Sequence, residues 1–245
     1  MKTPHGAPEN LALIKQGLAV TAVFSSWPDE LLERLLPASR LCWHLRGDCV
    51  YSEALGEPEI LVVVSGHLMV SRLGFDGLQV PLAILGPGFV SGISRGLNPN
   101  DEALHGYRAH DDAVVVHLPA RVVIHALGSD ATLWKNMARM LSKQHRHIFT
   151  TVLDQLTGNT RQRLAAAIGR LAWIYGVDDE TRSLRLRLSQ DDLAAMLQVT
   201  RRSINREIHT LEDLGLIRSE YNGVTVLDLQ ALRKLGRNVA AEADA

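Results

Sequence analysis

The sequence predicts an α+β protein in two parts, strand-rich to about residue 128 and helical beyond it. Three observations carry this. Short apolar runs in the front half are punctuated by glycine and proline, a texture of many short strands in a barrel or sandwich. A stretch without glycine or proline then runs from about Asp130 to Leu156 with apolar residues at helical spacing. After Gly158 comes a compact unit of short helices ending in a hairpin signal. At 245 residues, 46% hydrophobic and 22% charged, the chain is long enough for one large or two modest domains that bury their own cores.

Pro28 to Leu36 reads as a short helix, because proline suits a first helical turn and Asp29 and Glu30 favour its positive end. Strands are expected at Ser39–Leu45, Ile60–Val64, His67–Leu73, Leu78–Ile84, His105–Ala109 and Ala113–Leu118. The turn signals between them are Gly47-Asp48, Ser65-Gly66, Asp76-Gly77 and Gly86-Pro87-Gly88. The apolar stretch Leu11 to Phe24 is broken by Lys15 and Gln16, so neither a signal peptide nor a membrane span is expected. Two cysteines, Cys42 and Cys49, are too few for a disulfide framework or a four-thiolate iron–sulfur cluster, and a reducing, cytoplasmic setting follows.

The segment from Asp130 to Leu156 carries Leu133, Met137, Met140, Leu141, Ile148, Val152, Leu153 and Leu156 on a helical period. About seven turns reach roughly 40 Å, longer than a small domain needs for itself. Such a helix suits a link between domains and a pairing surface for a second copy; burial within one chain is the alternative. Another helix follows from about Thr160 to Tyr175, then the alternating Leu184 to Leu188. Asn238 to Ala245 has the composition of a frayed tail.

The chemistry concentrates in residues 185–227. Ser189 followed by Asp192 marks a helix N-terminus, with Leu193, Met196 and Leu197 as its apolar stripe. Gln198-Val199 makes a short connection and Thr200 caps the next helix. In that helix Ile204, Ile208 and Leu211 define a buried face, and Arg201, Arg202, Asn205 and Arg206 fall mainly on the other. Arginine can fork onto guanine and asparagine onto adenine in a major groove, so this pair of helices suits a helix-turn-helix; a merely solvated charged face is the competing reading. Leu211 to Ile217, broken at Gly215, and a hairpin at Asn222-Gly223 supply the wing that favours the first. The near-neutral total of 26 basic against 27 acidic residues hides a local excess: residues 181–206 hold six arginines and two aspartates.

This C-terminal unit resembles the winged helix-turn-helix of the CRP/FNR family of bacterial transcription regulators. The likeness runs through Leu188 to Arg206, with Leu193, Ala194, Leu197, Val199, Thr200, Arg201, Ser203, Ile204 and Arg206 in pattern, and through Leu211-Glu212-Asp213 to Ile217. Ile60 to Val70 resembles a strand pair of that family's β-roll, Gly86-Pro87-Gly88-Phe89 the start of its ligand cassette, and His145 to Arg163 the end of its dimer helix. The resemblance covers about residues 20–235. It implies a double-stranded β-helix (β-roll) sensor domain over 1–129, a dimerisation helix over 130–157, a winged helix-turn-helix over 158–237 and a tail over 238–245. It also implies a dimer on a near-palindromic site, with double-stranded DNA, a second copy and RNA polymerase as partners. Thr200, Arg201, Arg202, Ser203, Asn205 and Arg206 fall on the DNA-contacting positions. Where the family commonly has glutamate, this chain has Arg202, so its half-site should differ.

By the same resemblance the effector pocket falls on Gly88, Phe89, Ser91, Gly92, Arg95 and Arg108. Ser91 stands where cyclic-nucleotide binders place a ribose-binding glutamate, and Ala103 near the place of their phosphate-binding arginine; a slipped alignment would give that role to Arg95 or Arg108. Without those charge-assisted bonds cAMP is disfavoured. The effector is otherwise unknown: a haem stays open, with His44, His67 and His145 as candidate axial ligands, and no metal set is visible because His145 and His147 point to different sides of a helix. Gly92-Ile93-Ser94-Arg95-Gly96 satisfies G-x-S-x-G, but Leu97 to Asp101 starts no helix, so a loop is expected and an enzyme is not. The second reading is a small-molecule or haem-binding signalling module whose helix-turn-helix mediates protein contacts.

Overall fold

The computed structural model describes residues 8–54, 56–74, 79–101, 104–175 and 184–236. Two compact units divide the chain, Met1–Lys143 and Gln144–Ala245. Among the described residues no helix is long and apolar enough to cross a membrane. The turn expected at Asp76-Gly77, the residue Ala103 and the tail from Asn238 lie outside the described residues.

The first unit opens with helix α1 (Pro8–Ala19) and α2 (Asp29–Leu35), which Pro28 precedes as N-cap rather than entering its first turn. Among the described residues eight strands follow: β1 (Arg40–His44), β2 (Cys49–Ser52), β3 (Glu59–Ser65), β4 (Leu68–Leu73), β5 (Gln79–Leu85), β6 (Val90–Ser91), β7 (His105–Ala109) and β8 (Ala113–Pro119). Six coincide with the expected strands; β2 and β6 are too short to give a pattern of their own. They form two antiparallel sheets in the orders β1-β8-β3-β6 and β2-β7-β4-β5.

The uninterrupted apolar run of β3 has a direct cause. Ile60 and Val62 face a core completed by helices, with Leu18, Phe24, Leu35, Val116 and Leu118. Leu61 and Val63 face a second core between strands, with Leu68, Val70, Leu85, Tyr107 and Val115. A strand buried on both faces has no polar positions to alternate with. Helix α4 (Ala120–Leu127) and the first turns of α5 (Ala131–Thr157) complete the helical layer, through Val123, Leu127, Leu133 and Met137.

One correction concerns the G-x-S-x-G segment. A helix, α3 (Ile93–Leu97), stands where a loop was expected. Gly92 takes φ +95°, and a Cβ there would lie 2.0 Å from the Glu59 carbonyl oxygen, so glycine alone permits the reversal from β6 into α3. Ile93 then buries and turns the segment into a helical one. Ser94 is exposed on that helix, away from the apex of the turn where a nucleophile would be held.

The second unit contains the rest of α5, then α6 (Thr160–Ile174), β9 (Leu184–Leu186), α7 (Gln190–Leu197), α8 (Arg201–Asp213), β10 (Ile217–Glu220), β11 (Gly223–Val226) and α9 (Leu229–Gly236). Asn159 caps α6 and exchanges bonds with Gln162 in a capping box. The sheet order is β10-β11-β9. The hairpin differs from expectation by one residue: Glu220 pairs with Gly223, so Tyr221 and Asn222 make the turn and Gly223 belongs to the strand. A Cβ on Gly223 would sit 3.0 Å from the Leu186 carbonyl oxygen, which is why the glycine is needed against β9.

Gly66, the turn between β3 and β4, has φ +72°, and a Cβ there would lie 2.2 Å from the Asp112 carbonyl oxygen. Gly66→Ala is therefore expected to lower the unfolding free energy by about 2–4 kcal/mol. Urea unfolding of the full chain followed by tryptophan fluorescence measures this; an unchanged midpoint would contradict it.

Candidate nucleic-acid interface

Two caps set the helix pair in place. The Ser189 hydroxyl accepts from the Asp192 backbone N–H at 3.0 Å, and the Asp192 carboxylate accepts from the Ser189 N–H at 3.0 Å. Thr200 Oγ1 accepts from the Ser203 N–H at 3.2 Å and so caps α8. Between the helices the chain turns on Gln198, held in the left-handed region at φ 53°, ψ 44°. Arg163 of α6 adds a brace by donating to the Leu197 carbonyl.

Helix α8 divides cleanly. Ile204, Glu207, Ile208 and Leu211 are buried, whereas Arg201, Arg202, Asn205, Arg206 and His209 are exposed. The exposed set is spaced i, i+1, i+4, i+5, i+8, which is one continuous helical face. The structure thus brings together the sequence-predicted Arg201, Arg202, Asn205 and Arg206, with Thr200 and Ser203 at the N-terminal end. It adds His209, which continues the row one turn further on and was legible only by extending the same period.

Acidic partners hold several of these side chains. Arg201 Nη1 lies 3.1 Å from Asp191 of α7, and Gln190 Nε2 donates to Asn205 Oδ1 at 3.2 Å. Arg206 donates from Nε to Glu207 Oε1 at 3.0 Å while remaining largely exposed, and Arg161 of α6 donates to Glu207 Oε2 at 3.0 Å. Burial alone would push the Glu207 carboxyl up, but the two guanidinium partners outweigh it and hold the pKa below the usual carboxylate range. Glu207 is the residue that sequence reasoning missed. Its signal was a charged side chain on the buried face between Ile204 and Ile208. It does not face outward; it splints Arg206 so that the guanidinium stays on the exposed face. Among the described residues Arg202 makes no ion pair. The wing tip carries Tyr221, 89% exposed, beside Asn222 at φ 50°.

The candidate effector positions behave differently. Ser91 lies 3.0 Å from the Tyr107 hydroxyl, which donates to buried Glu53 at 3.3 Å; Glu53 also accepts from the His105 backbone N–H at 2.8 Å. Burial is the main cause that pushes the Tyr107 phenol up, so it stays a donor. Arg95 donates to the Asp101 carbonyl at 2.7 Å and Arg108 to the Gly47 carbonyl at 2.5 Å. Gly88 lies in the turn before β6 with its N–H on the Val63 carbonyl, and Phe89 packs against the inter-strand core. Of the candidate haem ligands, His67 is buried against Asp111 at 2.8 Å, and His145 lies on α5 beside Phe149.

Residues 162–235 match the Crp-like helix-turn-helix domain family. Over 182 residues the chain is 25% identical to the transcriptional regulator SdrP of Thermus thermophilus, covering 72% of this chain and 83% of that protein. It is 24% identical over 201 residues to a CRP-like cAMP-activated global transcriptional regulator of Mycobacterium tuberculosis, covering 78% of this chain and 86% of that one. A solved CRP/FNR-family transcriptional regulator of Thermus thermophilus superposes with a TM-score of 0.64 at 24% identity, over 80% of this chain and 98% of that one.

A left-handed residue other than glycine costs about 1–2 kcal/mol. Gln198→Gly is expected to relieve most of this and raise the unfolding free energy by up to about 1 kcal/mol after the larger backbone entropy of glycine is counted. Chemical denaturation compares the two proteins; a lowered midpoint would show that the Gln198 side chain contributes more than its backbone costs.

Proposed function

We propose that this chain is a transcription regulator of the CRP/FNR type that reads a near-palindromic DNA site as a homodimer through the exposed face of α8, a reading supported by the Crp-like helix-turn-helix match and the similar regulators. The observation that carries this reading is the continuous row of Arg201, Arg202, Asn205, Arg206 and His209. Arg201, Arg202, Asn205 and Arg206 lie in the first two turns, the part of a recognition helix that reaches base edges. Thr200 and Ser203, at the positive end of the helix, suit a phosphate. Arg206 is a base reader in this reading because Glu207 fixes its fork, and a fixed fork suits a bidentate contact with guanine O6 and N7. RNA polymerase is the partner whose recruitment or exclusion the bound dimer would control.

The dimer rests on a second observation. Ile148, Phe149, Val152, Leu153 and Leu156 of α5 are all about half exposed or more, Leu156 at 75%. Phe149, Val152 or Leu153, and Leu156 recur every three to four residues, the seam of a paired helix. Two recognition helices would then enter grooves about 34 Å apart.

For the first unit we propose that cAMP is not the effector. Ser91, Tyr107 and Glu53 satisfy one another, and Arg95 and Arg108 are engaged by backbone carbonyls, so a ribose and a phosphate would have to break existing bonds.

Selection from a random duplex pool with the full chain tests the function. A palindromic motif should be enriched; no enriched duplex at moderate salt would overturn the reading. On that motif Arg206→Ala is expected to lose about 1–3 kcal/mol of specific affinity with little loss on unrelated duplex. Equal loss on both would make Arg206 a phosphate contact. Sedimentation should give twice the 27.0 kDa chain mass for the wild type and a monomer for Leu153→Glu; a monomeric wild type would overturn the dimer.

A further inference from the structure

Strand β1 breaks the rule that inward positions are apolar. Leu41 belongs to the helix-covered core, so Arg40, Cys42 and His44 project to the opposite face of the sheet, the face that carries Val115 on the neighbouring β8. His117, two residues beyond Val115, shares that face and is 3% exposed. One ligand atom from each of Cys42, His44 and His117 lies within 4.8 Å of the other two. Among the described residues the Nε2 atoms of both histidines are buried with no hydrogen-bond partner, and a buried polar nitrogen left so costs stability unless something binds it.

Glu59 of β3 completes the arrangement. Its Oε2 accepts from His117 Nδ1 at 2.7 Å, and its other oxygen accepts from Arg40. With Nδ1 donating, the His117 lone pair is on Nε2, the buried atom without a partner. A carboxylate fixing the far nitrogen of a histidine is the usual support of a metal-ligating imidazole.

We propose that Cys42, His44 and His117 form a zinc site on the inward face of β1 and β8, with Glu59 as the positioning residue for His117. One thiolate and two neutral imidazoles are a borderline-soft donor set that suits zinc, and they occupy three of four tetrahedral positions. Ideal zinc bonds place ligand atoms roughly 3.4–3.6 Å apart, so closure needs a contraction of about 1 Å or rotamer adjustment. The fourth position is left for water or an exogenous ligand. Arg40 and Glu59 balance each other, so binding requires only that the Cys42 thiol lose its proton to solvent as zinc adds. The site is independent of the DNA-binding reading and survives if that reading fails.

The test uses the full chain stripped with a chelator and titrated with cobalt(II), then displaced with zinc. One equivalent of cobalt should bind with the visible bands of a tetrahedral ion and a near-ultraviolet thiolate-to-cobalt charge-transfer band, both removed by zinc. Cys42→Ser should abolish the charge-transfer band, whereas Cys49→Ser, at the exposed cysteine on β2, should keep it. His44→Gln should weaken zinc binding strongly, and Glu59→Gln should weaken it about 10–100-fold. Circular dichroism of each metal-free variant separates loss of binding from loss of fold. Because His117→Gln alters a buried position, the half-buried Cys42 and His44 carry the decision. No stoichiometric cobalt binding by the wild type, or a charge-transfer band that persists in Cys42→Ser, overturns the proposal.

Discussion

The antiparallel ladder between β3 and β8 is the constraint on which the first unit depends. Its register pairs Ile60 with Leu118, Leu61 with His117 and Val62 with Val116. Both strands are buried on both faces, so a slip of one residue would exchange the residues of two differently shaped cores at once. The same register places Glu59 on the face of Leu61 and within reach of His117. The polar cluster at the β1 edge is thus a consequence of how the apolar strands must pair, and it exists only because β1 adds to β8 in a fixed register with Cys42 opposite Val115.

In the second unit the corresponding constraint is the apolar contact of α8 with α6 and α7. Ile204, Ile208 and Leu211 are fully buried, as are Leu164, Ile168, Leu193 and Leu197. Once that face is fixed, the 3.6-residue period leaves no choice about where Arg201, Arg202, Asn205, Arg206 and His209 point. The caps at Ser189 and Thr200 set where each helix begins, and Gln198 accepts an unfavourable backbone conformation so that the two can meet. The near-zero formal charge is reconciled at the same place. Asp191 and Glu207 neutralise part of the basic row while orienting it, so the charge that steers toward a polyanion is local and directed, and association with DNA would be salt-sensitive through this helix.

How much was legible follows from where each signal is stored. Helices α5 and α8 and six strands could be read because their periods run unbroken over enough residues, and the caps at Ser189 and Thr200 are local chemistry. Helix α1 has no clear helical signal, because Lys15 and Gln16 interrupt the apolar stretch from Leu11 to Phe24. Helices α4 and α9 are eight residues each and adjoin stronger patterns. The turn at Tyr221-Asn222 was displaced by one residue because the Asn-Gly pair is a turn signal whose register depends on the partner strand; here Gly223 is required by the approach of Leu186 in β9. After Gly92 the run Leu97 to Asp101, which starts no helix, suggests a loop, and the buried Ile93 together with the packing of Gly96 against Ala120 makes the segment before it a helix.

The two candidate sites differ in the same respect. The helix-turn-helix face is contiguous from Thr200 to His209, so one helical period is enough to assemble it once it is carried on to His209, whereas Glu207 escaped that period because its role depends on Arg206 and on Arg161, forty-six residues earlier. The Cys42, His44 and His117 cluster is spread over seventy-five positions, and no ligand spacing in the sequence announces it. Cys42 and His44 are two apart, which has no meaning until the segment is known to be a strand, where it puts them on one face. His117 joins them only through the β1–β8 register, and its Nε2 is directed only through Glu59 on a third strand. A motif search tests spacing along the chain; this cluster is defined by spacing across a sheet, and the buried Nε2 atoms of His44 and His117, unpartnered among the described residues, are the mark it leaves in three dimensions.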